Sequence, residues 1–257
     1  MDAIIAAGGI PGPDDPLYPL TQGRPKALLD LAGQPMLQWV VNALEGASLV
    51  EHVLVAFPGP VSSIRLGPRT TLIPDQGGLI ANVQAGLQAV RRANPAATHA
   101  LLSSGDIPGI TPEMVDWRVQ TVEKADVDFD YAVVERAVMD RVFPGSRRSF
   151  TPLKGSEVCG GDLNGLRVDI VGDEALWNSL YATRKNAIKQ ASLLGFDLFL
   201  LAAFRRLTLE DAARLGSRRL GLKAHVTLCP YAEIGMDVDK PHQLEMVRRH
   251  LLTRMAA

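Results

Sequence analysis

The fold is decided at the start of the chain, where residues 1–37 are MDAIIAAGGIPGPDDPLYPLTQGRPKALLDLAGQPML. The mostly apolar run over residues 2–7 predicts a short buried strand, and it stops at the glycine pair Gly8-Gly9. Backbone N–H groups beside a glycine can approach an anion closely, because glycine has no Cβ. The compact positive charge of Lys26 suits a phosphate oxygen. We therefore expect this segment to hold phosphate groups, against the common alternatives of a plain turn and a solvated lysine.

The composition is that of a globular protein without a strong overall charge. The chain has 257 residues, 21% of them charged, and a formal net charge of −1, which does not favour a nucleic-acid partner or an anionic membrane.

Cys159 and Cys229 fit neither a metal-ligand spacing nor a disulfide framework, so we expect a cytoplasmic location. No signal peptide is visible. The longest mostly apolar block, residues 196–204, is shorter than the roughly 20 residues of a membrane span and is expected to be core rather than a membrane-surface contact.

Strands and helices alternate over the first half of the chain. The hydrophobic pattern predicts a helix over 36–44, strands over 52–56 and 70–73, a helix over 79–92, a strand over 100–103 and a helix from 111. This alternation indicates an α/β fold with a mostly parallel sheet covered on both faces. Ligands of such sheets bind at the carboxyl ends of the strands. We expect Gly8-Gly9, residues 76–78 and Asp106 to meet there, since each follows a predicted strand.

The second half is less regular. The pattern predicts a strand over 131–134, irregular chain or short antiparallel strands over 142–167, helices over 174–180, 184–194 and 197–207, a helix capped by Thr208, a strand over 223–228 and a last helix over 241–253. No linker separates two domains. We expect a single domain over 1–257, with a nucleotide-binding half (1–125) and an acceptor-binding half (126–257) that ends in a metal segment and a helix.

Three aspartates are candidate metal ligands. Asp106 ends an apolar strand, and Asp237 and Asp239 precede the last helix. Mg²⁺ takes one or two protein carboxylates and leaves its other positions to water and phosphate. The structural alternatives are a turn or cap for Asp106 and a helix cap for Asp239. Together with Lys26, these carboxylates suit phosphoryl or nucleotidyl transfer, in which positioned cations neutralise the transferring phosphate.

Other common sites are absent from the sequence. It contains no Gly-x-x-x-x-Gly-Lys-Ser/Thr loop, no Gly-x-Gly-x-x-Gly and no Gly-x-Ser-x-Gly. Its five histidines show no metal-ligand spacing.

Four segments, in order, resemble the motifs of nucleotidyltransferases, both the sugar-1-phosphate group and the molybdenum-cofactor nucleotidyltransferase-like group. The first combines AAGG at 6–9, LYPLT at 17–21, PKALL at 25–29 and AGQPML at 32–37. The others are GGLIANVQAGL at 77–87, SGDIP at 104–108 and DVDKPHQL at 237–244. The chain is therefore identified as a member of this family.

The resemblance implies a doubly wound, mostly parallel sheet of the glycosyltransferase-A (nucleotide-diphospho-sugar transferase) type. It implies an enzyme that uses Mg²⁺ and a nucleoside triphosphate. The acceptor, usually a phosphate, attacks the α-phosphorus and releases pyrophosphate. The implied partners are thus a triphosphate and an anionic small molecule, and a homo-oligomer is left open.

The resemblance also implies residue roles. Lys26 and Asp106 would be catalytic, and Asp106 with Asp237 or Asp239 would hold the metal. The implied nucleotide-binding residues are Ala6, Ala7, Gly8, Gly9, Arg24, Lys26, Gln76, Gly77, Gly78, Asn82 and Asp106. The candidate acceptor-binding cations are Lys154, Arg184 and Lys185, with Arg147 and Arg148 beside them, although each alone is more often a solvated surface charge.

One loop departs from the family. The family usually has Gly-Thr-Arg before the segment that matches residues 17–21, and its arginine grips the triphosphate. Residues 11–16 are PGPDDP instead, with no basic residue. Arg24 is the candidate to supply the lost charge, and a pyrophosphate-sugar or an already bound nucleotide is left open as the ligand.

Two alternative functions stand beside nucleotidyl transfer. One is a glycosyltransferase that uses a nucleotide-sugar, with residues 237–239 as its metal motif. The other is a catalytically degraded nucleotide-binding or regulatory protein, which the missing arginine motivates.

Overall fold

The computed structural model describes residues 1–183 and 207–256. Strands are β1 Asp2–Ala6, β2 Asp30–Leu31, β3 Gln34–Pro35, β4 Val53–Ala56, β5 Thr70–Ile73, β6 His99–Ser104, β7 Phe129–Glu135, β8 Thr151–Pro152, β9 Glu157–Gly160, β10 Leu163–Arg167 and β11 Ala224–Cys229. Helices are α1 Tyr18–Thr21, α2 Met36–Gly46, α3 Leu79–Ala93, α4 Pro112–Ala125, α5 Arg136–Val142, α6 Glu174–Thr183, α7 Leu209–Leu220 and α8 Pro241–Ala256. Short 3₁₀ turns lie at Lys26–Leu28, Val61–Ser63, Val168–Gly172 and Ala232–Gly235.

Nine strands form one sheet in the order β5-β4-β1-β6-β10-β7-β9-β8, and β11 pairs with the free side of β7. β1 pairs in parallel with β4 and β6, and β4 pairs in parallel with β5. β10 is antiparallel to both of its neighbours, and β9 is antiparallel to β7. The expected α/β fold with a mostly parallel sheet is confirmed.

Helices cover both faces of this sheet. β1 divides its side chains between two cores, as the two-residue period of a strand requires. Ala3 and Ile5 join the core beneath α2, α4 and α8. Ile4 joins the core beneath α3 and α6. The nearly continuous apolar character of the opening strand follows from this two-sided burial.

The second half of the chain contains a central strand that the sequence pattern did not indicate. Part of the region expected to be irregular forms the short antiparallel strands β8 and β9, but β10 lies in the middle of the sheet, between β6 and β7. Gly165 in β10 allows α4 to pack closely, because a Cβ there would lie 2.5 Å from a methyl group of Val122. The helix α5 was also not expected.

β9 and β10 follow each other along the same side of β7, and Gly161 and Asp162 bulge out of the ladder between them. Gly161 N–H donates to Ala132 O at 2.8 Å, whereas Asp162 N–H donates to Ile234 O at 2.9 Å. Asp162 O in turn accepts from Ser104 N–H at 3.0 Å. This break in the ladder places Asp162 at the carboxyl end of β6, beside Asp106.

A buried ion pair joins helix α4 to strand β7. Arg118 of α4 is fully buried and contacts the carboxylate of Asp130 in β7, which is also buried. Its Nε donates to Leu163 O at 2.8 Å. His225 and Thr227 of β11 also contact Asp130, at 2.9 and 2.8 Å. One carboxylate thus links α4, β7 and β11.

Some predictions lie outside the described residues. These are the helices over 184–194 and, except for Leu207, 197–207, the apolar block 196–204, and the cations Arg184 and Lys185. Within the described residues, no helix is long and apolar enough to cross a membrane.

Candidate active site

The carboxyl ends of β1 and β6 open onto a cavity of about 250 Å³. Its lining is Ala6, Ala7, Gly8, Gly9, Lys26, Ala27, Gly78, Leu79, Asn82, Ser104, Gly105 and Asp106. Eight residues predicted to bind nucleotide are therefore brought together: Ala6, Ala7, Gly8, Gly9, Lys26, Gly78, Asn82 and Asp106. The expected meeting of the three loops at one sheet edge is what the fold produces.

Lys26 lies between two carboxylates. The 3₁₀ turn that begins at Lys26 is held near the glycine turn because Lys26 N–H donates to Gly9 O at 3.0 Å. The side-chain nitrogen lies 2.6 Å from Asp106 Oδ2 and 2.6 Å from Asp239 Oδ1. It also donates to Val238 O at 3.4 Å. The contact between Lys26 and Asp239 thus joins residues that are 213 positions apart in sequence.

The two carboxylates keep Lys26 charged. Burial alone would lower the pKa of its ammonium group, but Asp106 and Asp239 outweigh that effect and hold the pKa well above its usual value. The side chains of Lys26 and Asp106 are 19% and 12% exposed, whereas that of Asp239 is 51% exposed. The cationic group is therefore fixed at the inner side of the site.

Asp106 is held by its own segment. Its Oδ1 accepts a short hydrogen bond from Ser104 Oγ, and its backbone O accepts from Val238 N–H at 3.0 Å. The latter bond brings the two acidic segments together. Gly105 permits the end of β6 to lie close to Ala7, since a Cβ there would lie 2.7 Å from Ala7 Cβ.

Asp237 and Asp239 take different partners. The carboxylate of Asp237 forms a close ion pair with Arg148, and both side chains are about 15% exposed. Asp239 turns to Lys26 instead, while its backbone N–H donates to Gln243 Oε1 at 3.0 Å. The cap role considered for Asp239 is therefore not taken by its side chain.

The three aspartates predicted to bind metal, Asp106, Asp237 and Asp239, do not bring their carboxylates together at one point. In residues 1–183 and 207–256, the one group of three His, Cys, Asp or Glu side chains with ligand atoms within 4.8 Å of one another is Asp2, Glu51 and His52. That group lies at the amino ends of β1 and β4, away from Lys26. Asp106 and Asp239 are thus the carboxylates that share one cation.

Asp162 lies in the segment 160–164, which resembles the variable acceptor wall of the family, but its place beside Asp106 was not predicted. Burial raises the pKa of its carboxyl to about 7; the Asp106 and Asp239 carboxylates raise it as well, whereas Arg148 and Lys26 oppose the rise. The signal that could have found it is the Gly160-Gly161 pair before it, which allows the chain to leave the sheet ladder. The position of Asp162 in the site depends on the break between β9 and β10, which no sequence motif indicates.

The loop after β5 forms a hydrogen-bonded network beside the glycine turn. Asn82 Nδ2 donates to Asp75 Oδ1 at 2.7 Å, and Asn82 Oδ1 accepts from Gln76 N–H at 2.6 Å. Gly77 N–H donates to Asp75 Oδ2 at 3.1 Å. A Cβ on Gly8 would lie 2.5 Å from Asp75 Oδ1. Asp75 therefore fills the space that Gly8 leaves, and it was missed because it precedes the motif.

The loop that lacks the family arginine turns its acidic side chain onto itself. Asp15 Oδ1 accepts from Leu17 N–H at 2.8 Å, which is a local turn contact. Arg24 Nε donates to Thr21 O at 3.2 Å, at the end of α1. In this arrangement Arg24 contacts its own helix, and it is not among the residues that line the cavity.

Lys154 is separate from the lysine site. Its backbone N–H donates to Leu207 O at 2.9 Å, beside the start of α7. No hydrogen bond or ion pair between described residues links it to Lys26 or Asp106. Among the described residues, the candidate acceptor-binding cation Arg148 contacts an acidic residue of the site, Asp237.

The chain is similar to a known family and to several solved structures. The family model described as MobA-like NTP transferase domain matches residues 21–214. A structure described as a hypothetical transferase from Thermus thermophilus matches 95% of this chain and 98% of its own, with a TM-score of 0.77 and 28% identity. No curated protein matches the chain significantly.

Two further structures are similar at 16% identity, with 99% of this chain and 100% of each covered. One is CMP:2-keto-3-deoxy-manno-octonic acid synthetase complexed with CTP, with a TM-score of 0.62. The other is 2-C-methyl-D-erythritol 4-phosphate cytidylyltransferase from Thermus thermophilus, with a TM-score of 0.55. These likenesses establish the shared fold, which is the nucleotide-diphospho-sugar transferase type expected.

Proposed function

Because the chain belongs to the MobA-like NTP transferase domain family, we propose that it moves a nucleoside monophosphate from a nucleoside triphosphate to a phosphorylated small molecule and releases pyrophosphate. The membership confirms the family and the enzyme class, a nucleotidyltransferase, that the sequence motifs indicated. The acceptor, the product and the residue roles below are our proposal.

One observation carries the proposal: a partly buried cation and two carboxylates meet at the glycine-lined cavity. Lys26 Nζ lies 2.6 Å from both Asp106 and Asp239, and Gly8 and Gly9 line the same cavity. Nucleotidyl transfer needs cations to neutralise charge on the phosphates and needs no covalent intermediate on the enzyme. The site supplies a lysine, backbone N–H groups and acidic ligands for that purpose.

The proposed roles follow the position of each residue. Gly8, Gly9 and Lys26 hold the phosphates, because they line the cavity where β1 ends. Asn82 is assigned to the base and ribose side, which is the role that the family resemblance implies, and Asp75 holds its side chain beside the glycine turn. The acceptor oxygen attacks the α-phosphorus, the bond from that phosphorus to the β-phosphate oxygen breaks, and pyrophosphate leaves.

The residues fit a bound Mg²⁺. Asp106 and Asp239 offer only oxygen donors and already face one shared cation, which matches a hard metal ion that takes one or two protein carboxylates. When bound, the metal would stabilise negative charge on the phosphates. Asp237 is the less suitable ligand, because Arg148 pairs with its carboxylate.

The acceptor molecule is proposed to be anionic. Among the described residues of the second half, Arg148 is a positive group near the site, where it lies beside Asp162 and Asp237. One similar structure is named for a 4-phosphate acceptor and another for a complex with CTP, so CTP and sugar or polyol phosphates belong in the first panel. Arg184 and Lys185 stay predictions.

The proposal is tested by a pyrophosphate-release screen. Each of the common ribonucleoside triphosphates is combined with Mg²⁺ and a panel of sugar and alcohol phosphates. We expect one combination to release pyrophosphate and Asp106→Asn to lower its rate by about 10²-fold or more, as loss of a charged active-site group does. No release in any combination, together with no triphosphate binding by calorimetry, would contradict the proposal.

Family membership disfavours the two alternatives. A nucleotide-sugar glycosyltransferase would use residues 237–239 as its metal motif, but Asp237 pairs with Arg148. A catalytically degraded protein would bind triphosphate without releasing pyrophosphate in the same screen.

A cytoplasmic location is proposed from the two buried free cysteines.

A further inference from the structure

All three donors of the Lys26 ammonium group are already engaged. They face Asp106 Oδ2 and Asp239 Oδ1 at 2.6 Å each and Val238 O at 3.4 Å. An ammonium group has three N–H donors and no more. In this arrangement Lys26 has no donor left for a phosphate oxygen, although it lines the cavity where the phosphates are proposed to bind.

The same two carboxylates are the proposed metal ligands. A divalent cation bound to Asp106 and Asp239 would stand where the ammonium nitrogen now stands, or close to it. Two cations a few ångströms apart in a partly buried site repel each other strongly. The Lys26 ammonium group and the metal therefore cannot both bind these two carboxylate oxygens tightly.

We propose that Lys26 is an internal cation that holds the metal site closed until a nucleoside triphosphate arrives. The triphosphate draws the ammonium group onto its phosphate oxygens, and Asp106 and Asp239 become available to the metal that accompanies it. Metal alone binds weakly, and metal and triphosphate strengthen each other's binding by the same factor. This inference rests on the proposed function. It adds the reason why the metal binds weakly when no triphosphate is present.

The surroundings of Lys26 explain why a cation must always be present. Asp106, Asp239 and Asp162 bring three carboxyl groups to one side of the site, where the side chain of Asp106 is only 12% exposed. Removing both the lysine and the metal would leave buried like charges without compensation. The lysine thus stabilises the empty enzyme, and the metal replaces it in the loaded enzyme.

The side chain of Lys26 has a route to the phosphates. Gly9 stands directly beside it, since a Cβ built on Gly9 would lie 3.7 Å from Lys26 Cε. The backbone of Lys26 is anchored to Gly9 O, so rotation of the side chain alone moves the ammonium group from the carboxylates toward the glycine turn. No change of fold is required.

The test is Mn²⁺ binding by electron paramagnetic resonance, on the full chain with and without a non-hydrolysable triphosphate analogue. The variants are Lys26→Met and Lys26→Gln, the second of which keeps a polar group between the carboxylates. Lys124→Met, which removes an exposed lysine from α4, is the matched control. Circular dichroism and thermal melting establish that each variant is folded.

Without nucleotide, we expect Lys26→Met and Lys26→Gln to bind Mn²⁺ at least about tenfold more tightly than wild type, within the usual range of coupling between sites. Adding Asp106→Asn should abolish that gain, and Lys124→Met should match wild type. The analogue should strengthen Mn²⁺ binding much more in wild type than in the Lys26 variants.

Two results would overturn the inference in distinguishable ways. If Mn²⁺ binds with the analogue but Lys26→Met and Lys26→Gln bind it no more tightly alone, the exchange is wrong and the proposed function stands. If Mn²⁺ binds to no protein with or without the analogue, the exchange and the proposed metal both fail.

Discussion

Asp162 carries a carboxyl group beside two other carboxylates, and its protonation follows from that position. Burial and the neighbouring Asp106 raise its pKa from 3.8 to about 7. Between these values the folded protein binds more protons than the unfolded chain, so this group makes the free energy of unfolding fall as pH rises. The loss is complete above about pH 7, where Asp162 is ionised in both states.

Asp162→Asn should therefore stabilise the metal-free protein at pH 8 and have less effect at pH 5. We expect a gain of up to about 4 kcal/mol at pH 8, since the pKa lies at about 7 instead of 3.8 and each pKa unit corresponds to about 1.4 kcal/mol. Urea unfolding in EDTA at both pH values measures it, with the exposed Asp169→Asn as control. An equal effect of Asp162→Asn at pH 5 and pH 8 would show that its ionisation is not linked to folding.

Residue identities were predictable where a motif names them and not where a backbone break does. Lys26 and Asp106 follow from their segments, and the structure places both on one cavity. The position of Asp162 depends on a tertiary contact, because its N–H donates to Ile234 O, whereas the N–H of Gly161 still donates to Ala132 O. The choice of Asp239 over Asp237 beside Lys26 likewise depends on Arg148, a residue from another part of the chain.

At the scale of elements, the turn after β1 and the loop after β5 form one unit. Gly8 leaves space for the Asp75–Asn82 hydrogen bond, and Asn82 contributes to it from the first turn of α3. The turn can therefore be changed without touching the lysine or the carboxylates.

Gly8→Ala should weaken triphosphate binding by about tenfold, the equivalent of one net hydrogen bond, with little effect on stability. The reason is that the new Cβ would lie 2.5 Å from Asp75 Oδ1 and 3.0 Å from Asn82 Nδ2, so the network must shift. Calorimetric titration with the preferred triphosphate measures the change. Gly12→Ala is the matched control, since no atom lies within 4 Å of its built Cβ; equal affinities for the two variants would remove this network from the nucleotide site.

Elements with a strong local signal were predictable. Thr208 and Asp211 form the expected cap of α7, with Thr208 Oγ1 accepting from Asp211 N–H at 3.1 Å. β10 was not predictable, because Asn164 and Gly165 are poor strand formers. Both are explained by neighbours: Asn164 Oδ1 accepts from Ala132 N–H, and Gly165 makes room for α4.

At the scale of the whole molecule, a buried ion pair links the helical layer to strand β7 of the sheet. Arg118 and Asp130 are almost completely excluded from solvent, and Asp130 also contacts two residues of the edge strand β11. A buried carboxylate without its partner is strongly destabilising, whereas replacing both members by apolar groups can be tolerated.

Arg118→Met should lower the free energy of unfolding by about 3–5 kcal/mol. Arg118→Met combined with Asp130→Leu should recover part of the loss, because no charge is then left buried. Urea denaturation followed by circular dichroism measures both. A loss below about 1 kcal/mol for Arg118→Met, well short of the usual cost of an unpaired buried charge, would mean that water or a neighbour compensates Asp130 without the arginine.

The α/β class was predictable because apolar strands and helices alternate over the first half of the sequence. The strand order after residue 125 was not, because β10 runs antiparallel between two parallel strands and the strand β11 returns to the far side of β7. Such pairings depend on contacts between distant segments and leave no local pattern.

The central claim is that the site around Lys26, Asp106 and Asp239 transfers the α-phosphoryl group with its nucleoside. The most direct measurement follows the label from α-³²P and γ-³²P triphosphates in parallel reactions with the active acceptor. We expect the α-label in the acceptor product and the γ-label in pyrophosphate, with both transfers lost in Asp106→Asn. Transfer of the γ-label to the acceptor, or retention of both labels in the triphosphate with every acceptor tried, would contradict the claim.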